Sequence, residues 1–340
     1  MAAAYPGFAG DWEAAAVTFA AAGLIAWAGT GTVLHLLRRH EILDRPNERS
    51  SHVVATPRGG GIAVVGAILV AVALLADDLP WLVLAAVAAL AAVSWIDDLR
   101  GLPPLPRFLF QGLVVLAVVF LAPWDGLVFQ GLLPVALDRL LAAGVLLYFL
   151  NIFNFMDGID GITGVETVCI GLGLALAGVV SEGNTLLAVA ATAAALGFLV
   201  WNWQPARIFM GDVGSVPLGF LLGWLLLSAA AAGAWPVALL LPAYYLADAS
   251  LTLLRRAARG ERVWRAHREH FYQRAVQGGL SHAAVSRSVL ACGLGLVAIA
   301  AADTWLPVPT LLALFAGAVL VLGLLWYLRR AAARSGHDAR

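Results

Sequence analysis

The sequence contains no lysine and little charge of either sign. Charged residues make up 12% of its 340 residues and hydrophobic residues 61%, whereas soluble domains are about half apolar and about a quarter charged. This composition excludes a string of separate soluble domains. It indicates one integral membrane domain that occupies residues 1–340.

The sequence contains only two cysteines. Cys169 and Cys292 both lie inside apolar runs, so a disulfide framework is excluded and two buried free thiols are expected. The first dozen residues carry no arginine. The basic region with which a secretory signal peptide begins is therefore lacking, and no such peptide is expected.

Apolar stretches long enough to cross the hydrocarbon core as helices follow one another along the chain. They predict an all-α polytopic bundle of about eleven transmembrane helices, each with a length close to the thickness of a bilayer. We place these helices near residues 14–37, 60–76, 80–96, 107–122, 134–152, 162–180, 185–202, 214–232, 236–254, 284–302 and 307–328.

Arginine predicts the orientation of this bundle, because basic residues concentrate on the cytoplasmic side of membrane proteins. With the N-terminus outside and the C-terminus inside, Arg139 is the only arginine at the outer side. The predicted cytoplasmic loops are about 38–59, 97–107, 151–162, 203–214 and 255–283. Four polar clusters fall in these loops, and their grouping on one face indicates a shared site that cytoplasmic nucleotides can reach.

Asp97 and Asp98 end the third predicted span. A solvated helix end is the simplest interpretation, but two adjacent carboxylates repel each other and oppose the helix dipole. We therefore expect a positive partner here, either a metal ion or a cation-bridged phosphate. Carboxylates so close to a bilayer also favour a functional role.

The segment Asn151-x-x-Asn154-x-x-Asp157-Gly-x-Asp160-Gly carries polar side chains every three residues. If the fifth helix continues through it, Asn151, Asn154 and Asp157 share one face. Oxygen ligands at this density suit Mg²⁺ or Mn²⁺. An Asn/Asp-rich turn is the alternative, and an EF-hand is excluded because no glutamate occupies the last ligand position.

Two further loops carry candidate functional residues. Asp212 can ligate a metal or simply cap the next helix, which begins with N–H groups that favour an anion. The loop that contains His267, Arg268 and His270 can bind zinc or lipid headgroups. We favour a third interpretation, in which this loop is a patch that neutralises phosphate charge.

Together these motifs resemble those of the polyprenyl-phosphate N-acetylhexosamine-1-phosphate transferases, which belong to glycosyltransferase family 4. The resemblance covers roughly residues 44–282. Its last loop lacks the three consecutive histidines of the lipid I-forming branch and is closer to the branch that initiates O-antigen or other surface polysaccharides. The motifs are, in order, Asp44-x-Pro46-x-x-Arg49-x-x-His52 with Pro57-x-Gly59-Gly60, Asp97-Asp98, the Asn151–Asp160 segment, Phe209-x-Gly211-Asp212-x-Gly214-Ser215, and His267-x-x-His270.

The resemblance implies Mg²⁺ as cofactor, with Mn²⁺ as a substitute, a UDP-N-acetylhexosamine donor and an undecaprenyl (polyprenyl) phosphate acceptor. It also implies a multi-pass protein of the bacterial inner membrane whose active site faces the cytoplasm. The implied metal contacts are Asp212 and Asn154, the catalytic residues are Asp97, Asp98 and Asp157, and the substrate-binding residues are Arg107, Asn151, Asp160, Phe209, His267, Arg268, His270 and His52.

The expected reaction transfers N-acetylhexosamine-1-phosphate to the lipid phosphate, releases UMP and initiates a lipid-linked surface glycan. One alternative is a lipid I-forming phospho-N-acetylmuramoyl-pentapeptide transferase. Another is a secondary transporter, although transporters usually consist of two related halves and no such halves are evident in the sequence. Membrane topology accounts for the arginines, so nucleic acid is not an expected partner. The sequence also allows a homodimer.

Overall fold

The computed structural model of the chain describes residues 12–44, 46, 54–75, 80–262 and 267–334, and most of these residues are helical. The strands β1 (Leu43–Asp44) and β2 (Thr56–Pro57) form a short antiparallel pair. The helices are α1 (Trp12–Arg39), α2 (Gly61–Leu75), α3 (Trp81–Arg100), α4 (Pro104–Leu121), α5 (Val135–Phe155), α6 (Ile162–Ala177), α7 (Glu182–Asn202), α8 (Asp212–Ala231), α9 (Trp235–Leu240), α10 (Ala243–Ala258), α11 (Phe271–Gln277), α12 (His282–Trp305) and α13 (Thr310–Arg334).

Eight helices in the described part of the chain are long and apolar enough to cross a membrane: α1, α3, α4, α5, α7, α8, α12 and α13. The apolar helices α2 and α6 are shorter, with 15 and 16 residues. The ninth predicted span, 236–254, is divided into α9 and α10 at Pro242, which has no N–H with which to continue a helix. The all-α membrane bundle is thus confirmed, whereas the count of eleven spans stays a prediction.

Helix α8 lies at the centre of the bundle. Every residue from Val213 to Ala231 is buried, and α2, α3, α5, α6, α7 and α9 pack around it. At its first turn the backbone of α2 comes very close, since a Cβ built on Gly61 would lie 2.2 Å from the Cα of Gly214. Only a pair of glycines allows this approach, and it fixes the start of α8 against the start of α2.

The loop before α2 and the loop before α8 are joined by backbone hydrogen bonds. Arg58 and Phe209 form an isolated parallel β-bridge. The N–H of Phe209 donates to the carbonyl of Pro57 at 2.8 Å, and the N–H groups of Gly59 and Gly60 donate to the carbonyl of Phe209 at 3.1 and 2.9 Å. This ladder places Arg58 beside the start of α8, although the two lie far apart in sequence.

The ends of several helices meet at one face of the bundle. Helices α3 and α5 end there, and α4, α6, α8 and α12 begin there, as the side-chain contacts between their termini demonstrate. We call this surface the polar face. The polar loops that the sequence predicts to share one side of the membrane therefore do meet in space.

We expect Gly61→Ala to lower the stability of the protein, because the added methyl group would meet backbone atoms of Gly214 that cannot move aside. Overpacking of this kind costs about 1–3 kcal/mol. Gly66→Ala, in the same helix, is the matched control, since a Cβ there meets nothing within 4 Å. Thermal unfolding of the two detergent-purified variants measures the difference, and equal midpoints would contradict the close approach of α2 to α8.

Candidate active site

A cavity of about 380 Å³ opens at the polar face. It receives side chains from eight separate segments of the chain, and most of its lining residues are polar. The lining residues are Asp44, Arg58, Arg107, Asn154, Phe155, Asp157, Gly158, Ile159, Asp160, Asn202, Phe209, Met210, Gly211, Asp212, Gln273 and His282.

Asp212 lies at the centre of this constellation. It is the first residue of α8 and follows Gly211, whose positive φ of 76° turns the chain into the helix. Its Oδ1 atom is 2.6 Å from Nη2 of Arg58, and its Oδ2 atom is 3.1 Å from Nη1 of Arg107. One carboxylate is thus held between two guanidinium groups that come from different loops.

The two arginines extend these contacts to the acidic pair at the end of α3. Nε of Arg58 is 3.0 Å from Oδ1 of Asp98, and Nη1 of Arg107 donates to Oδ2 of Asp97. Three carboxylates and two guanidinium groups therefore alternate along one chain of ion pairs, with one negative charge in excess. Burial lowers the pKa of Arg58, but the carboxylates of Asp212 and Asp98 raise that pKa further, and it ends above its ordinary value.

Asp97 and Asp98, the acidic pair, have different structural roles. Asp98 caps α8, because its Oδ1 accepts the N–H of Asp212 at 3.1 Å and its Oδ2 accepts the N–H of Val213 at 2.9 Å. Its side chain is 2% exposed. Asp97 instead accepts the N–H of Leu102 at 2.6 Å and so holds the turn into α4.

These contacts supply the positive partners that two adjacent carboxylates require. They are two arginines and the N-terminus of a helix, whose free N–H groups attract negative charge, where the sequence had suggested a metal ion or a bridged phosphate. The contacts of Asp98 favour a role in positioning Asp212 over a place among the reacting atoms, since Asp98 does not line the cavity.

The two asparagines at the end of α5 lie at different depths. Asn154 lines the cavity, and its Oδ1 accepts a hydrogen bond of 2.6 Å from Oγ of Ser215 in the first turn of α8. Asn151, one turn earlier, donates to Oε1 of Gln111 at 3.1 Å and does not line the cavity. Asn151 therefore links α5 to α4, and the predicted contact with substrate is not evident in its position.

The two aspartates after α5 both line the cavity. Asp157 accepts a hydrogen bond of 2.6 Å from Oγ1 of Thr163, and burial raises the pKa of Asp157 to about 6 against the lowering effects of Thr163 and Arg58. Asp160 lies beside the start of α12, with its Oδ1 atom 3.1 Å from Nδ1 of His282. Both aspartates therefore present carboxyl oxygens to the cavity.

The predicted basic loop occupies a different position from the one its sequence suggests. His270 is 2% exposed, and its Nδ1 atom is 3.2 Å from Oδ1 of Asp248 in α10. Asp248 also accepts the N–H groups of Phe271 and Tyr272, at 3.0 and 3.3 Å. His270 thus fastens the start of α11 to α10, which is a structural role.

Neither His267 nor Arg268 lines the cavity that contains Asp212. Burial, followed by repulsion from His270 and Arg256, lowers the pKa of His267 to about 4, so this side chain carries no charge with which to neutralise phosphate at neutral pH. The zinc alternative has no support either, because the described residues contain no group of three His, Cys, Asp or Glu side chains that could hold a metal ion.

Several lining residues are not among the site residues that the sequence predicts, and Arg58, Gln273 and His282 are three of them. Arg58 reaches the cavity through the β-bridge to Phe209, and His282 and Gln273 reach it from α12 and α11. The position of Arg58 beside the Gly59-Gly60 turn is the one local feature of the sequence that indicates a functional role for it. His52, which the motif implied as a substrate contact, lies outside the described residues.

The cavity offers the oxygen ligands that suit a hard divalent cation. Asp212 and Asn154 both line it, with Asp157 nearby. Mg²⁺ is usually held by one or two carboxylates together with waters and substrate phosphates, and rarely by a complete protein cage. The donor set therefore fits a Mg²⁺ ion that is bound together with a diphosphate.

Comparison with known proteins identifies the family of this chain. Residues 80–230 match glycosyl transferase family 4. The decaprenyl-phosphate N-acetylglucosaminephosphotransferase of Mycobacterium leprae is 31% identical over 333 residues, which cover 83% of this chain and 82% of that protein. Proteins of the same name from Mycolicibacterium smegmatis and Mycobacterium tuberculosis are each 31% identical, over 349 and 347 residues, with 89% of this chain and 85% of each relative covered. As its ordered motifs predict, the chain therefore belongs to glycosyl transferase family 4.

Proposed function

We propose that this protein transfers N-acetylhexosamine-1-phosphate from a UDP-sugar to a polyprenyl phosphate and releases UMP. The observation that carries the proposal is the Asp212 carboxylate held between Arg58 and Arg107, in a polar cavity at the ends of apolar helices. A cavity of this kind brings charged groups to the depth at which a lipid phosphate and a water-soluble nucleotide can meet.

An oxygen of the lipid phosphate attacks the phosphorus that carries the sugar. The bond between this phosphorus and the oxygen that bridges to the uridine phosphate breaks, and that oxygen leaves with UMP. Phosphoryl transfer of this type depends mainly on positioning and on neutralising charge. The second pKa of a phosphate monoester is about 6, so the acceptor is already largely ionised at neutral pH.

Different residues of the cavity position the substrates and neutralise their charge. Arg107 and Arg58 bind phosphate oxygens through their paired N–H groups. Asp212 and Asn154 are the proposed ligands of Mg²⁺, which when bound neutralises the diphosphate. Asp157 faces the same space and is the proposed catalytic carboxylate, whereas Asp97 and Asp98 hold Arg107 and the start of α8 in place.

The cavity also carries groups that suit a nucleotide base. Phe209 offers an aromatic surface, and Asp160 offers a carboxylate oxygen next to His282. We propose that these groups contact the uracil. The charged end of the donor then points toward Asp212, and the sugar-bearing phosphate lies nearest Arg107.

The named activity of the relatives narrows the substrates. They are N-acetylglucosaminephosphotransferases that act on decaprenyl phosphate, which favours UDP-N-acetylglucosamine as the donor here. We propose undecaprenyl phosphate or another long polyprenyl phosphate as the acceptor, and initiation of an O-antigen or related surface glycan as the purpose. Membership of the family disfavours a secondary transporter, and the relatives' names do not favour a lipid I-forming enzyme.

We also propose that the polar face lies on the cytoplasmic side of the bacterial inner membrane, as the arginine distribution predicts. Glu182 and Ala258 are both exposed and lie in opposite end regions of the bundle under this threading. In intact cells, an impermeant maleimide should label Glu182→Cys and leave Ala258→Cys unlabelled, and Cys169 and Cys292 are buried and add no background. Labelling of Ala258→Cys but not of Glu182→Cys would indicate the opposite orientation.

The reaction itself is tested by UMP release from UDP-N-acetylglucosamine, with detergent-purified protein, a polyprenyl phosphate and Mg²⁺. Asp212→Asn keeps the shape of the side chain but removes the charge that binds the cation, so we expect kcat to fall at least about 100-fold. Asp125→Asn, an exposed carboxylate in the loop between α4 and α5, is the control and should leave kcat unchanged. The absence of UMP with every UDP-N-acetylhexosamine tested would refute the proposed function.

Arg107 is expected to bind the acceptor phosphate with two parallel N–H groups, which lysine cannot reproduce. Arg107→Lys should therefore raise the KM for the polyprenyl phosphate about tenfold, with a smaller effect on the KM for the UDP-sugar. Arg100→Lys, at the end of α3 and outside the cavity, is the matched control. If the two variants behave alike in steady-state kinetics, Arg107 serves only to anchor α4 at the membrane surface.

A further inference from the structure

A second cavity, separate from the candidate active site, lies where α10, α11 and α13 meet. Its volume is about 320 Å³, and its lining consists of Arg255, Phe271, Arg274, Arg329 and Ala332. The consecutive helices α10 and α11 and the later helix α13 each contribute one arginine. We call this space the basic cavity.

The three arginines of the basic cavity have no carboxylate partner among the described residues. The contrast with their neighbours is informative, because Arg256 and Arg259 pair with Glu261 and Glu269 close by. Acidic side chains are thus available near α10, but they are used elsewhere. Three like charges around one space repel one another, and an anion would relieve that repulsion.

The geometry of the basic cavity is fixed by close packing. A Cβ built on Gly278, just after α11, would lie 2.5 Å from the carbonyl oxygen of Ala331, so the backbones of α11 and α13 touch. Phe271 is 6% exposed, and its ring lies 4.6 Å from the Cζ atom of Arg255. This cation–π contact orients one guanidinium group at the wall of the cavity.

We propose that the basic cavity binds the phosphate of an anionic phospholipid headgroup. Planar guanidinium groups bind phosphate through paired hydrogen bonds. The depth also fits a lipid, since Arg329 and Ala332 lie in the last turns of α13, an apolar helix long enough to span a membrane. Trp326 and Tyr327 are exposed one turn earlier, and such aromatic residues concentrate at the level of lipid headgroups.

Helix α11 connects the basic cavity to the candidate active site. Phe271 and Arg274 line the basic cavity, whereas Gln273 of the same short helix lines the cavity that contains Asp212. A headgroup bound to Arg274 therefore holds α11 in place from the side opposite the substrates. Binding of the headgroup to the basic cavity should stabilise α11 and favour the position that Gln273 has in the structure.

Lipid retention tests this proposal without any assay of catalysis, so its failure is distinguishable from failure of the proposed function. The delipidated full-length protein is titrated with phosphatidylglycerol or phosphatidylcholine, and bound lipid is counted by native mass spectrometry. We expect one phosphatidylglycerol to be retained in preference to phosphatidylcholine. Arg255→Gln, Arg274→Gln and Arg329→Gln should each weaken that binding at least about tenfold, because each removes charge-assisted hydrogen bonds to the phosphate.

Arg330→Gln is the matched control. Arg330 is the next residue of α13, stacks on Trp326 with its Cζ 3.9 Å from the ring, and does not line the basic cavity. Its replacement should change phosphatidylglycerol binding by less than about twofold, because an exposed charge that does not contact the phosphate contributes little. If Arg330→Gln weakens binding as much as Arg329→Gln, the attraction is a general effect of positive charge at the membrane surface and the proposal is wrong.

Two further measurements separate the remaining explanations. Inorganic phosphate in large excess should not displace phosphatidylglycerol, whereas displacement, or equal binding of both lipids, would overturn the assignment to an anionic lipid. Thermal unfolding of each variant in detergent without added lipid should match the parent protein, because the three arginines are exposed. If a glutamine variant is less stable, Arg274→Lys keeps the charge, and its failure to restore binding above that of Arg274→Gln would contradict the proposal.

Discussion

The ion pairs of Asp212 with Arg58 and Arg107 are the interaction on which the polar face depends. They join three loops that would otherwise present unpaired charges at the end of an apolar bundle. A buried charge without a partner destabilises a protein far more than a satisfied pair stabilises it. Each member of the alternating chain from Asp98 to Asp97 therefore secures the next, and loss of one leaves its neighbours uncompensated.

The central helix α8 imposes a second constraint on the polar face. Helix α8 is buried from Val213 to Ala231, and the N–H groups of its first turn have no acceptors within the helix. The carboxylate of Asp98 meets this need for two of these groups. Asp98, near the end of α3, thus satisfies the backbone of α8 and, through Arg58, positions the carboxylate of Asp212.

Local sequence signals predicted the parts of the site that local structure determines. The apolar runs gave the helices, and the motifs of α5 and α8 correctly grouped Asn154, Asp157, Asp160 and Asp212 around one cavity. Arg58 and His282 escaped prediction because they arrive through tertiary contacts, a β-bridge in one case and the packing of α12 in the other. His270 was misplaced for the same reason, since its partner Asp248 lies on the preceding helix, in a stretch with no motif.

The hydrogen bonds from α8 to Asp98 have a consequence for the insertion of the protein into the membrane. The oxygens of Asp98 accept N–H groups of residues more than a hundred positions later. Until the ribosome has synthesised the segments between them, the carboxylate of Asp98 on the newly inserted α3 has no N–H partner from α8. A position at the water-exposed end of the span tolerates that interval, whereas the same acid in mid-membrane would oppose insertion of α3 before its partner existed. The place of Asp98 in the sequence is therefore compatible with biogenesis as well as with the finished fold.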